Sequence, residues 1–195
     1  MFAAVLLVDD VQINRTLIRR TLEVAGAAVV VEAADGQAAY EIYKNSGGAF
    51  SLVLMDCRMP VMDGWQATEH IRLLERAAGW PPVPIVACTT EDVSPGSPTL
   101  ERCWACGMTA ATGKPLSKQA AAQLLNRWAG AGAAPEPCRS SDGGSTRELL
   151  AAPSMSSAAS DAAASQDTRT SLDSETGCLP FRLRRQLAHM SCMQA

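Results

Sequence analysis

Asp9, Asp10, Asp56, Thr89 and Lys114 are the residues of this chain whose types and spacing could do chemistry. Each follows the C-terminal end of an apolar run with the character of a strand: AVLLV before Asp9, SLVLM before Asp56, VPIVAC before Thr89, and the weaker MTAAT before Gly113 and Lys114. Strands in one parallel sheet lie roughly 4.8 Å apart, so if these runs pair, the five side chains meet along one edge and can share a ligand. Carboxylates, a hydroxyl and an ammonium gathered in this way suit metal-assisted acceptance of a phosphoryl group. Two carboxylates about 4 Å apart repel by roughly 4 kcal/mol at an effective dielectric near 20. The cluster must therefore raise a pKa or recruit a cation, since one lysine cannot balance it.

The elements that would position these residues alternate in period. Ile13, Leu17, Ile18 and Leu22 recur at helical spacing and stop at Gly26, a natural helix end. A shorter segment from Gly36 to Tyr43 follows the VVVEA run. Ala67, Ile71, Leu74 and Ala78 form a further stripe, closed by Gly79 and two prolines, and Ala121, Leu124, Leu125 and Trp128 mark the last. Strand alternating with helix five times predicts a doubly wound α/β domain with helices on both faces. Sites in such domains lie beyond the carboxyl ends of the strands, where the winding direction changes.

Composition narrows the alternatives. The 195 residues are 47% apolar, enough for one ordinary domain plus an appendage. The long aliphatic runs lie before Trp128, whereas 130–178 is dominated by Ala, Ser, Gly, Pro and Asp, which predicts a disordered stretch within a tail spanning 130–195. A net charge of −3 supplies no general field for nucleic acid, so no direct nucleic-acid partner is expected. The opening MFAAVLLVDD has no basic region and meets two acids early, so neither a signal peptide nor a membrane span is expected; the expected compartment is the cytoplasm or the nucleus. Seven cysteines with no framework spacing fit a reducing environment, and Cys103-x-x-Cys106, with no second pair or histidine, reads as two small residues one helical turn apart.

The stretches LLVDDVQINR, LVLMDCRMPVMDGWQAT, PIVACTT and GKP, in this order, resemble the receiver domain of two-component signalling, and most of all the receivers of hybrid histidine kinases. The resemblance runs from about Val5 to Trp128, within a domain placed at 1–129. It implies a flavodoxin-like fold with a five-stranded parallel sheet of order 2-1-3-4-5. It also implies that Asp56 is phosphorylated from a phosphohistidine, and that Asp10 and Asp56 hold Mg²⁺ directly. Asp9 would act through a water, and the backbone carbonyl of Arg58 would complete the protein's share. Lys114 would pair with Asp56 and then with a phosphoryl oxygen, while Thr89 would offer its hydroxyl to another. The implied partners are a histidine kinase or a histidine phosphotransfer protein, with no separate catalytic kinase domain in this chain. The resemblance further implies a cis bond before Pro115.

Other residues read more plainly. Asp63-Gly64 reads as a turn before a helix, and His70 as a surface residue. Three departures from the receiver pattern matter. Ala111 stands where an aromatic residue is usual, which favours relay of phosphoryl groups over control of an output. Ser94-Pro95-Gly96-Ser97-Pro98 should shorten the fourth helix, starting it near Pro98 or Thr99. Thr90 replaces a common alanine and would narrow access to Asp56. Arg58 and Glu91 are expected to pair over the pocket mouth and slow attack by water.

Alternative readings are the C-terminal part of a hybrid sensor kinase, a degenerate receiver that only binds a partner, and an aspartyl phosphohydrolase. The last would want D-x-D where Arg58 stands. Leu183, Leu187 and Met190 with three nearby arginines would suit a basic amphipathic helix, but a disordered end is the simpler reading.

Overall fold

The apolar runs become strands, and the turn chemistry between them starts and stops the helices. The computed structural model describes residues 3–128 and 150–151. Strands β1 (Ala4–Val8), β2 (Val29–Ala33), β3 (Leu52–Met55), β4 (Ile85–Thr89) and β5 (Ala110–Gly113) alternate with helices α1 (Gln12–Ala25), α2 (Gly36–Asn45), α3 (Gly64–Ala78), α4 (Pro98–Ala105) and α5 (Lys118–Trp128). The five strands are parallel and ordered β2-β1-β3-β4-β5, as the resemblance implied. β1, β3 and β4 are buried along their whole length, which is why they read as continuous apolar runs rather than alternating ones.

Alternate residues feed two cores. Leu6, Val8, Val53 and Met55 pack with Tyr43, Trp65, Ile71 and Leu100 of α2, α3 and α4. Val5, Leu7, Leu54 and Val86 pack on the opposite face with Ile18, Leu22, Leu124 and Trp128 of α1 and α5. Chain order reverses between β1 and β3, so the loops after those two strands diverge to opposite faces and open a crevice at the sheet edge.

The helix ends follow the sequence signals. Asp63 caps α3 in a reciprocal box with Gln66, so Asp63 has the turn role expected of it, and His70 lies exposed on α3. α4 is eight residues long, capped by Ser97 with Pro98 in its first turn, as the Pro/Gly-rich segment predicted. Cys103 lies in α4 and Cys106 caps its end. The bond before Pro115 is cis.

Two features differ from the sequence reading, and the burial of Glu75 is new to it. Leu150–Ala151 forms a short strand, β6, antiparallel to β5 and opposite Ala110 and Ala111, so these two residues of the expected disordered stretch are placed on the sheet edge, where their backbone groups meet the open edge of β5. The amphipathic 179–195 segment falls outside the described residues. In α1, Ile18 and Leu22 are buried but Ile13 and Leu17 are 61% and 57% exposed, because the four residues span two faces of the helix and only one meets the sheet. Glu75, on α3, is buried: its carboxylate accepts hydrogen bonds from Tyr43 Oη at 2.8 Å and Val83 N at 2.7 Å and pairs with Arg72, tying α2, α3 and the approach to β4 together.

Candidate functional site

At the C-terminal edge of the sheet, parallel pairing does the positioning. Asp9 N donates to Ala33 O at 3.2 Å and Asp56 N to Val8 O at 2.9 Å, so Asp9 and Asp56 extend the ladder beyond β1 and β3. Lys114 N donates to Thr89 O at 2.7 Å, which brings the end of β5 to the end of β4. Asp9, Asp10 and Asp56 each offer an oxygen within 4.8 Å of the others. Lys114 Nζ lies 2.6 Å from Asp56 Oδ2 and 2.5 Å from Asp9 Oδ2. Asp9 and Asp56 are buried while Asp10 is exposed, so the cluster opens to solvent on the Asp10 side.

The turn after β1 is held by its own residues. Asp9 Oδ1 accepts from Val11 N at 2.9 Å and from Asn14 Nδ2 at 3.2 Å. Arg15 reaches back from α1, donating to Asp9 O at 2.7 Å and Asp10 O at 3.2 Å while pairing with Glu32 of β2. This positioning role of Arg15 is a contribution that spacing alone did not reveal. Gly64, the first residue of α3, allows the other wall to close: a Cβ there would stand 1.9 Å from Asp56 O, so only glycine lets α3 start against the end of β3.

Burial pushes the Asp56 carboxyl above its ordinary value; Lys114 draws it back down, and Asp9 pushes the same way as burial. Burial opposes the charge on Lys114, but its contacts with Asp56 and Asp9 outweigh that and raise its pKa. Asp9 Oδ2 is buried against the Lys114 ammonium, and one ammonium faces three carboxylates. An all-oxygen set with this excess of negative charge fits a hard divalent cation. Among the described residues this is the group of His, Cys, Asp and Glu side chains that is close enough to hold one ion.

Thr89 ends β4 rather than following it, is buried, and its hydroxyl accepts from Glu91 N at 3.2 Å. Arg58 and Glu91 form the ion pair expected of them, and Thr99 of α4 donates to Glu91 at 2.8 Å. The pairing with Arg58, and next the bond from Thr99, hold the Glu91 carboxyl below its ordinary value although partial burial opposes them. Asp10, Arg58, Met59, Pro60, Asp63 and Trp65 line a cavity of about 360 Å³ at this mouth. Thr90 is exposed, and Ala111 is buried in the α2-α3-α4 core, where it leaves no side chain to move between inward and outward positions.

The family model of the response regulator receiver domain matches residues 5–126. The chain belongs to the receiver family. Its receiver is 37% identical over 126 residues to the two-component response regulator ORR41 of Oryza sativa subsp. japonica, covering 64% of this chain and 92% of that protein. It is 40% identical over 126 residues to the sensor protein GacS of Pseudomonas syringae pv. syringae, covering 65% of this chain but 13% of GacS. Against the hybrid signal transduction histidine kinase E of Dictyostelium discoideum the chain spans 7% of the relative's length.

Among solved structures, the receiver of the sensor histidine kinase PA1611 of Pseudomonas aeruginosa PAO1, with magnesium in its active-site cleft, shares 32% identity at a TM-score of 0.55, covering 67% of this chain and 100% of that one. The receiver of Saccharomyces cerevisiae Ssk1, solved with the histidine phosphotransfer protein Ypd1, shares 27% identity at a TM-score of 0.58, covering 65% and 88%. Receivers of this family serve phosphorelay signal transduction and pair with histidine kinases and phosphotransfer proteins. No described helix is long and apolar enough to cross a membrane.

Proposed function

We propose that residues 1–129 act as a phosphorelay receiver that takes a phosphoryl group from a phosphohistidine onto Asp56. The observation that carries this reading is the convergence of Asp9, Asp10, Asp56 and Lys114 on one oxygen-lined point. An Asp56 carboxylate oxygen attacks phosphorus, the P–N bond to the histidine breaks as the P–O bond forms, and the electron pair leaves with the imidazole, which takes up a proton. Phosphoryl transfer asks a protein mainly for positioning and charge neutralisation. Lys114 supplies the second, exchanging Asp56 for a phosphoryl oxygen, and the Thr89 hydroxyl turns to another.

Mg²⁺ would be held by Asp10, Asp56 and the Arg58 carbonyl, with Asp9 acting through a water, and when bound it would neutralise charge on the transferring oxygens. Asp9, in contact with Lys114, keeps that ammonium on the acceptor side of the crevice. The Arg58–Glu91 pair covers the mouth and slows hydrolysis. Val61, 87% exposed at a φ of 68°, and the outward Ile13 and Leu17 of α1 are apolar groups that a phosphotransfer partner would cover. Ala111 makes relay to a second histidine the task, rather than output switching. The receiver is self-phosphorylating and works in the cytoplasm or nucleus.

The test is incubation with acetyl phosphate and Mg²⁺ followed by intact mass. A stable gain of one phosphoryl group, absent without the metal, supports the reading. No gain would leave only partner binding, and rapid turnover of unrelated phosphate esters would indicate a phosphohydrolase.

A further inference from the structure

Four cysteines among the described residues are free and buried: Cys57, Cys88, Cys103 and Cys106. Two of them face each other across the core beneath the site. Cys57 directly follows Asp56 in the chain, and Cys103 lies in α4; their sulfurs are 3.8 Å apart, and neither residue has exposed surface. Buried free cysteines often serve only as small apolar groups. Here each sulfur has the other as a partner, and Trp65 Nε1 donates to Cys103 Sγ at 3.4 Å. The guanidinium of Arg102 stacks 3.8 Å from the centre of the same indole. The contact with Cys57 holds the Cys103 thiol below its ordinary value, against the burial that pushes it up and with the help of the hydrogen bond from Trp65.

The pair sits where a covalent bond would be felt at Asp56. Cys57 O accepts from Gly64 N at 3.0 Å, and α3 starts so close to Asp56 O that no Cβ fits between them. The sulfurs must approach by about 1.8 Å, from 3.8 Å to the roughly 2.0 Å of a disulfide. With the Asp56–Gly64 segment packed in this way, that movement falls largely on α4. α4 also carries Thr99, which holds Glu91, which in turn pairs with Arg58 at the pocket mouth. Drawing α4 toward β3 therefore tightens the rim over the acceptor.

We propose that Cys57 and Cys103 are a dithiol–disulfide couple that, when oxidised, pins α4 to the acceptor strand and closes the receiver to phosphoryl donors. The gating half of this proposal rests on the phosphoacceptor reading above; the couple itself does not. The oxidant is a hydroperoxide. The Cys103 sulfur attacks its terminal oxygen, the O–O bond breaks, an alcohol leaves and a sulfenic acid forms. The Cys57 sulfur then attacks that sulfur, the S–O bond breaks and water leaves. Each sulfur gives up one electron, the peroxide takes both, and the two thiol protons end on the alcohol and the water. Because both sulfurs are covered, reaction proceeds through local opening of α4, an eight-residue helix flanked by Gly96 and Gly107 at φ of 82° and 95°. In a reducing compartment such a bond is regulatory rather than structural.

The test uses the full chain, reduced and then treated with hydrogen peroxide, followed by non-reducing peptide mass mapping and by labelling with acetyl phosphate and Mg²⁺. The expected result is a Cys57–Cys103 linked peptide two hydrogens lighter than its parts. Labelling should slow several-fold in step with the linked fraction and recover with dithiothreitol. Cys103→Ser, with Cys103→Ala as a second variant should the first not fold, is expected to label at the reduced rate and to ignore peroxide. A link between other cysteines, no link at all, or a linked protein that labels as fast as the reduced one overturns the proposal. A reduced protein that never labels, with the link present, overturns the phosphoacceptor reading and the gating half alone.

Discussion

Replacing Lys114 by alanine should turn the site against the fold. Lys114 Nζ contacts Asp9 and Asp56 at 2.5 and 2.6 Å, and both acids are buried, at 1% and 7% exposure. At 4.8 Å, the outer separation of their oxygens, two like charges repel by about 3.5 kcal/mol at an effective dielectric of 20. Breaking a buried pair from one side commonly costs about 3–5 kcal/mol. The expected loss is therefore about 3–5 kcal/mol in urea unfolding at neutral pH without metal, whereas Lys118→Ala, at an exposed position, should change little.

The pH dependence has a defined sign. Asp56 already sits above its ordinary value, and losing Lys114 raises it further. An acid whose folded pKa exceeds its unfolded pKa binds more protons when folded, so stability rises as pH falls through that window. The deficit of Lys114→Ala should shrink on mild acidification, shrink with Mg²⁺, and shrink when Asp9→Asn is added. A loss under about 1 kcal/mol, or one indifferent to acid, Mg²⁺ and Asp9→Asn, would refute the electrostatic account.

Other outcomes follow from the same geometry. Mg²⁺ at ten times its Kd should stabilise the receiver by about 1.4 kcal/mol, roughly 4–8 °C in Tm, and Asp10→Asn should abolish most of that gain; an equal gain in the variant would place the ion elsewhere. Arg58→Ala and Glu91→Gln should each shorten the lifetime of the phosphorylated receiver several-fold, with the double variant no worse than the singles, because one pair is lost in every case; unchanged lifetimes would end the idea of a cover. Gly64→Ala should cost about 1–3 kcal/mol in denaturant unfolding and slow labelling as well, since the Asp56 carbonyl must move to admit the methyl. Unchanged stability and rate in that variant would show that the close packing of α3 on β3 is not needed.

The fold and the acidic site were legible because the signals are local. Each of Asp9, Asp56 and Lys114 follows a short buried strand, and parallel pairing makes strand ends converge whatever the intervening loops do. What was hidden depends on partners far away in the chain. Nothing next to Glu75 in the sequence signals burial; in the fold its carboxylate is buried, with Tyr43, 32 positions earlier, and Val83 N both donating to it. Ile13 and Leu17 fit helical spacing as well as Ile18 and Leu22 do, and spacing cannot say which of two apolar lines meets the sheet. Arg15 is one of several charged residues of α1, and only the folded turn brings the carbonyls of Asp9 and Asp10 within its reach. The Cys57–Cys103 approach joins residues 46 apart, and no pattern of cysteine spacing announces it.

The most direct measurement of the central claim is chemical trapping of the phosphoryl group. The receiver is labelled by a phosphorylated histidine phosphotransfer protein in Mg²⁺, reduced with borohydride, and mapped by peptide mass. An acyl phosphate at Asp56 would appear as homoserine at position 56, and Asp56→Asn would show none. Homoserine at Asp9 or Asp10, or labelling that survives in Asp56→Asn, would contradict the account.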